Sequence, residues 1–265
     1  MQTLRPLTIA ELLDRAFVLY REHFLIFVLI AAVPNGILAL LQVVTDTLSF
    51  NPVLVVAMGV VMLAGTLIAQ LVSQGVTVLA VSQMQLGLPT SATEAFHTIR
   101  GRVGELAVLA LNVGLRVMLW TLVFIIPGVI AGLRYSLAAP VAILEEVGVS
   151  ESLERSRTLT KGHLGRIFLI YVLLIVMLLI GGAAWSLVMR GLAFVAPGAA
   201  ATPAPLWART VNGLGTFLVN TVTGPIVTIA FSLIYYDERV RKEGFDLEHM
   251  MQQLDPAASN PSTLA

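Results

Sequence analysis

The chain has 265 residues, of which 57% are hydrophobic and only 12% are charged. Soluble domains carry about 25% charged residues, so this composition excludes a water-soluble globule and indicates a surface that faces lipid. The 16 basic residues balance the 16 acidic ones and cysteine is absent, which excludes a polyanion-binding bias in the total charge, disulfides and thiolate metal sites.

Six apolar stretches are long enough to cross a bilayer as helices, since a hydrocarbon core needs roughly 20 apolar residues. They predict an all-α integral membrane domain over residues 1–250, followed by a disordered tail at 251–265. The predicted spans are 24–44, 53–82, 106–126, 129–144, 167–189 and 211–236.

Basic residues predict the orientation of these spans. Twelve of the 16 lysines and arginines fall on one side of a six-span topology, which the positive-inside rule assigns to the cytoplasm together with both chain ends. Eight of them are expected at the inner leaflet, where basic side chains attract anionic phospholipid: Arg15, Arg21, Arg100, Arg102, Arg155, Arg157, Lys161 and Arg166.

Three cytoplasmic segments share a pattern, a short amphipathic helix that leads into an odd-numbered span. The first begins with the capping box Thr8–Glu11, the second with Ser91–Glu94, and the third begins near Ser150 without one. Aligning the first segment with the third also pairs two histidines in register. The pattern predicts three units, each an interfacial helix plus a helix pair; alternatively, any helix that enters a membrane from the cytoplasm is basic and amphipathic.

Two arginines fall inside predicted spans, where an arginine costs about 2.5–3.5 kcal/mol on insertion scales. Arg116 lies midway along the third span and Arg134 lies in the fourth, and the segment 126–128 predicts a tight turn between these spans. The pair indicates a site for an anionic group, such as a phospholipid headgroup or a phosphorylated solute. Alternatively, each side chain extends to lipid phosphates or bonds helix-end carbonyls near Pro140.

Polar amides inside the spans predict a polar bundle interior. Gln70 and Gln74 share one helix face, Asn112 precedes Arg116 by one turn, and Asn220 lies in the sixth span. Such residues usually bond across helices. A polar transport path is the alternative.

Signals for catalysis are weak. The four histidines lack metal-ligand spacing, and the pair Glu145 and Glu146 suits a charged cap at the end of the fourth span. We therefore predict no catalytic residue, no metal and no cofactor.

Several local motifs resemble one family. These are Ile126-Pro-Gly128 with Arg134, Pro140 and Glu145, then 152–162, the ending 235–247 and the N-terminal 13–20. The chain resembles the bacterial membrane domain named after glycerophosphoryl diester phosphodiesterase. The resemblance implies a six-helix bacterial inner-membrane protein, in some members fused to a phosphodiesterase barrel. These 265 residues contain no such barrel, so the family name does not imply that activity here.

These observations favour a non-catalytic membrane module that binds lipid or partner proteins, with anionic phospholipid and a membrane protein as expected partners and no nucleic acid. A transporter or permease-like protein for an anionic or lipidic solute is the first alternative. A membrane-embedded enzyme of lipid phosphodiester metabolism is the second.

Overall fold

The computed structural model describes residues 7–48, 52–87, 92–196 and 205–243, and within these ranges the chain is helical without a strand. The helices are α1 Ile9–Glu22, α2 Phe24–Leu48, α3 Pro52–Gln85, α4 Ala92–Arg100, α5 Val103–Val123, α6 Ile125–Arg134, α7 Ala138–Leu144, α8 Val149–Thr160, α9 Leu164–Val195 and α10 Leu206–Glu243.

Six helical stretches are long and apolar enough to cross a membrane, which confirms the predicted all-α, polytopic architecture. Five of them are the single helices α2, α3, α5, α9 and α10, and the remaining one is the stretch Ile125–Leu144, which α6 and α7 share. Four of the helices, α2, α3, α9 and α10, are longer than the predicted spans; α10, for example, continues to Glu243, beyond the predicted end at 236.

The turn between the third and fourth spans lies earlier than predicted. The chain reverses at Phe124, whose backbone is extended at φ −161°, whereas Pro127 and Gly128 lie inside α6. Pro127 is the third residue of α6, where its missing N–H leaves no intrahelical bond unmade. A Cβ on Gly128 would lie 2.0 Å from Thr121 Oγ1, so this glycine permits the close approach of α6 to α5.

The fourth span is broken into two helices, whereas the sequence analysis placed helix-end carbonyls near Pro140 within a single span. α6 ends at Arg134, turns occupy 135–137, and α7 begins at Ala138 with Pro140 in its first turn. A helix that continued through this point would press the Pro140 ring against the carbonyl of Ser136, four residues earlier. The bend therefore lies before Pro140, and the fourth span is two short helices.

The three short amphipathic helices pack along the sides of longer ones. α1 packs on α10, α4 on α3, and α8 on α7. The residue just before the following long helix has nearly the same backbone conformation in each case: His23 at φ −116° and ψ 30°, Arg102 at φ −112° and ψ 1°, and His163 at φ −116° and ψ 14°. In each case the carbonyl of that residue accepts the backbone N–H four residues later.

The predicted first capping box is present, with the Glu11 N–H donating to Thr8 Oγ1 and the Thr8 N–H donating to Glu11 Oε2. Ser91 of the second box and the predicted tail at 251–265 lie outside the described residues. α8 begins after Gly148, which provides no side-chain cap.

Burial is uneven along the bundle. In α9 the buried residues Ile167, Ile170 and Leu174 all lie near its start, whereas Phe194 near its end is 89% exposed. The α5–α6 hairpin follows the same trend, and Phe124 at its tip is 72% exposed. The core therefore occupies the end of the bundle where α10 finishes, which we call the packed end, and the apolar side chains of the other end face outward.

Candidate functional site

A cavity of about 460 Å³ lies among α3, α5, the α6–α7 break, α9 and α10. Most of its lining is aliphatic, including Val78, Leu109 and Val113, and polar groups enter from Gln74, Tyr135, Ser136, Tyr171 and Thr228. Gln74 on α3 and Gly114 on α5 are exposed, so the cavity is reached from between these two helices. A cavity with mainly apolar walls and a few polar groups suits an amphipathic small molecule.

Two arginines meet at Tyr135, beside this cavity. Arg116 Nη1 donates to the Tyr135 hydroxyl at 3.2 Å, and its guanidinium carbon lies 5.5 Å from the ring centroid. The guanidinium carbon of Arg157 lies 6.0 Å from the same centroid. We call Arg116, Tyr135 and Arg157 the arginine–tyrosine cluster. Each cation is within the distance at which an aromatic face attracts it.

Hydroxyl groups on α8 fix the position of Arg157. Ser156 Oγ donates to the backbone carbonyl of Arg134 at 2.8 Å, and Thr160 Oγ1 donates to the same carbonyl at 3.4 Å. Because the chain leaves the helical path at 135–137, this carbonyl lies at a helix end and needs an external donor. The break in the fourth span thus docks α8, and α8 carries Arg157 to the ring of Tyr135.

The arginines at this site are not neutralised by carboxylates. Within the described part of the chain, neither Arg116, Arg134 nor Arg157 forms a salt bridge, and all three residues are exposed. Arg134 was predicted to accompany Arg116 at an anion site. Its backbone carbonyl binds α8, while Arg157, which the sequence analysis assigned to the inner leaflet, lies next to Arg116 at Tyr135.

The four predicted interior amides occupy different positions. Gln74 lines the cavity. Asn112 donates to the carbonyl of Val108 on its own helix, and Gln70 and Asn220 are exposed, which differs from the interior placement predicted for them.

The eight basic residues predicted at the inner leaflet divide into two groups. Four are exposed, namely Arg21, Arg100, Arg157 and Lys161. Four bind other parts of the chain: Arg15 to Gln85, Arg102 to the carbonyls of Ala142 and Ile143, Arg155 to Glu145 and Glu243, and Arg166 to Asp237 and Glu238.

A buried ionic cluster at the packed end was missed by the sequence analysis. Asp237 is 4% exposed and Glu238 is fully buried. Arg166 Nη1 lies 2.6 Å from Asp237 Oδ2 and 3.1 Å from Glu238 Oε1, and His163 Nδ1 lies 2.5 Å from Glu238 Oε2. Arg241 also pairs with Asp237, and both arginines donate to the Leu7 carbonyl. The signal was present in the adjacent acids after 236, but the predicted span ended two residues too early to include both of them.

Glu145 belongs to a second polar network and is more than a charged cap. It accepts hydrogen bonds from the Tyr235 hydroxyl at 2.9 Å and from Arg155 Nε at 3.0 Å. Burial acts to lower the pKa of Arg155, but the hydrogen bonds and charges of Glu145 and Glu243 outweigh it and raise the pKa above its ordinary value. This network joins α7, α8 and α10.

The described residues contain no group of three or more His, Asp or Glu side chains that could hold a metal ion. The candidate site consists of the cavity and the arginine–tyrosine cluster beside it. Comparison of the chain with known protein families, with curated proteins and with solved structures gives no match.

Proposed function

We propose that this polytopic membrane protein is non-catalytic and binds lipid, with an acyl chain in the cavity among α3, α5, α6, α7, α9 and α10. The cavity is the observation that carries the proposal, because its aliphatic walls and its exposed lining at Gln74 and Gly114 suit a chain that enters sideways from a bilayer. The alternative ligand is a membrane protein partner that binds the same kind of apolar surface in place of lipid.

The topology in this proposal places both chain ends in the cytoplasm of a bacterial inner membrane, as the basic residues favour. The chain is then a relative of the glycerophosphoryl diester phosphodiesterase membrane domain. It is also built from three related units, α1–α3, α4–α7 and α8–α10. The shared backbone conformation at His23, Arg102 and His163 supports the repeat, as does the packing of each short helix on the last helix of another unit.

Filling the cavity tests lipid binding. Gly114 lines the cavity, and a Cβ placed on it meets no atom within 4 Å, so Gly114→Leu adds a side chain to open space. Gly182 on α9 is equally unobstructed but lies outside the cavity lining, and Gly182→Leu is the matched control. We expect native mass spectrometry to show less retained lipid for Gly114→Leu alone. Equal lipid in wild type and both variants would overturn the proposal.

Transport of an anionic or lipidic solute is the alternative that one observation favours. The broken helix at 135–137 lines the cavity through Tyr135 and Ser136, and interrupted helices form substrate sites in many transporters. Flux of labelled glycerophosphate or phospholipid across proteoliposomes, lost in Gly114→Leu and kept in Gly182→Leu, would favour transport. Hydrolysis of a glycerophosphodiester by the purified protein would instead replace the non-catalytic assignment.

Orientation has its own test, which the absence of native cysteine simplifies. Phe124 is 72% exposed at the tip of the α5–α6 hairpin, and the Glu146 side chain is 80% exposed after α7. An impermeant thiol reagent should label Phe124→Cys in intact cells and should label Glu146→Cys only after permeabilisation. The reverse pattern would invert the proposed topology.

A further inference from the structure

Resting on the proposed lipid site, we infer that the arginine–tyrosine cluster binds the phosphate of an anionic phospholipid whose acyl chain occupies the adjacent cavity. Three separate elements contribute to the cluster: α5 carries Arg116, the α6–α7 break carries Tyr135 and α8 carries Arg157. Tyr135 belongs to both parts, because its ring lines the cavity and its hydroxyl accepts from Arg116.

The electrostatics of the cluster call for an anion. Two guanidinium groups lie within 6.0 Å of one ring centroid, and neither forms a salt bridge in the described part of the chain. The two like charges share one ring, whose aromatic face offsets only part of their mutual repulsion. A phosphate bound at the cluster offsets both positive charges and accepts charge-assisted hydrogen bonds from the arginines that it reaches.

The neighbouring surface identifies the anion as a lipid headgroup rather than a free phosphate. Arg116 lies within the apolar helix Val103–Val123, which is long enough to cross a membrane, and Leu115, Met118 and Leu119 beside it are exposed. A soluble phosphate would have to leave water to reach this surface. A phospholipid brings its phosphate with its chains, and Val113, Gly114 and Val117 on the same helix line the cavity for them.

The inference is tested by headgroup selectivity in nanodiscs that contain equal amounts of phosphatidylglycerol and phosphatidylcholine, followed by native mass spectrometry of the released protein. We expect wild type to retain phosphatidylglycerol preferentially. Arg116→Gln with Arg157→Gln should lower the retained ratio by about tenfold, the equivalent of one lost charge-assisted bond, while the total retained lipid stays unchanged. Arg116→Lys with Arg157→Lys keeps both charges and should retain part of the preference.

Arg21→Gln with Arg100→Gln is the control: it removes two exposed charges that lie outside the cluster and were predicted at the inner leaflet, so it measures the loss that general attraction of anionic lipid would give. Unchanged selectivity in the Arg116 and Arg157 double variant would overturn the inference, as would an equal loss in the control. Displacement of the lipid by millimolar inorganic phosphate would also overturn it, in favour of a free-phosphate site. A separate result would be that Gly114→Leu does not reduce the amount of retained lipid. That result would refute the proposed lipid site itself.

Discussion

Arg166 Nη1 lies 2.6 Å from Asp237 Oδ2, and this contact joins the first turn of α9 to the last turns of α10. The Arg166 side chain is 15% exposed and that of Asp237 only 1%. Arg166 also donates to the Leu7 carbonyl, so the same guanidinium ties down the segment before α1. One side chain therefore links three parts of the chain that are far apart in sequence.

Replacing Arg166 is expected to destabilise the packed end strongly. Arg166→Met leaves Asp237 and Glu238 buried without their shared cation, and breaking a buried ion pair from one side costs about 3–5 kcal/mol. A large fall in the thermal unfolding midpoint in detergent is the expected result. Arg21→Met removes an exposed arginine and should leave the midpoint unchanged; similar midpoints for both variants would contradict a structural role for the ionic cluster.

The α5–α6 hairpin should tolerate a methyl group at one glycine and not at another. Gly128→Ala places Cβ 2.8 Å from the backbone Cα of Thr121, so the two helices must move apart, at about 1–3 kcal/mol. Gly132→Ala, one turn later in α6, meets nothing within 4 Å. Thermal unfolding of the two variants should separate them clearly, and equal stability would argue against this close approach.

Tyr20 provides a polar link between α1 and α10 that a single atom change can remove. Its hydroxyl donates to the Val222 carbonyl at 2.7 Å. Tyr20→Phe should lower the free energy of unfolding by about 1 kcal/mol, with faster amide exchange in α1 as the local measurement. Tyr171→Phe is the control, since Tyr171 is held by ring contact with Phe231. Faster α1 exchange in both variants would mean that the Tyr20 hydroxyl is not responsible.

The two glycines before α5 and α9 should respond differently to alanine, although they precede equivalent junctions. Gly162 has φ +89°, a conformation in which an L side chain is strained, so Gly162→Ala should cost about 1–2 kcal/mol. Gly101 is not among the positive-φ glycines of the described residues, and Gly101→Ala should be neutral or slightly stabilising. The unfolding midpoints of the two variants provide the comparison; a destabilised Gly101→Ala would contradict it.

The architecture could be predicted because it depends on long apolar runs, and each of the six runs became a helical stretch. The break at 135–137 could not, because it depends on the coincidence of Pro140 with two hydroxyls that arrive from α8. The turn was predicted at 126–128, on Pro127 and Gly128, but proline also fits the first turn of a new helix, which is where Pro127 lies.

The candidate site was predictable only in part. Arg116 stood out because an arginine in an apolar helix is costly, and that argument needs no partner to be known. Arg157 did not stand out, because it lies among other basic residues and only the docking of α8 brings it to Tyr135. Asp237 and Glu238 were left out of the predicted sixth span for a simpler reason. The end of that span was set by hydropathy, which falls at the two acids, whereas α10 includes them.

The concentration of buried side chains at one end has a consequence for solvation. Toward the other end many apolar side chains face outward, so their surface is covered by whatever solvent surrounds it. In a bilayer that cover is acyl chains, so the length and unsaturation of the chains determine how well these side chains are solvated. Detergents with short tails should therefore affect this end first, while leaving the ionic contacts around Arg166 in place.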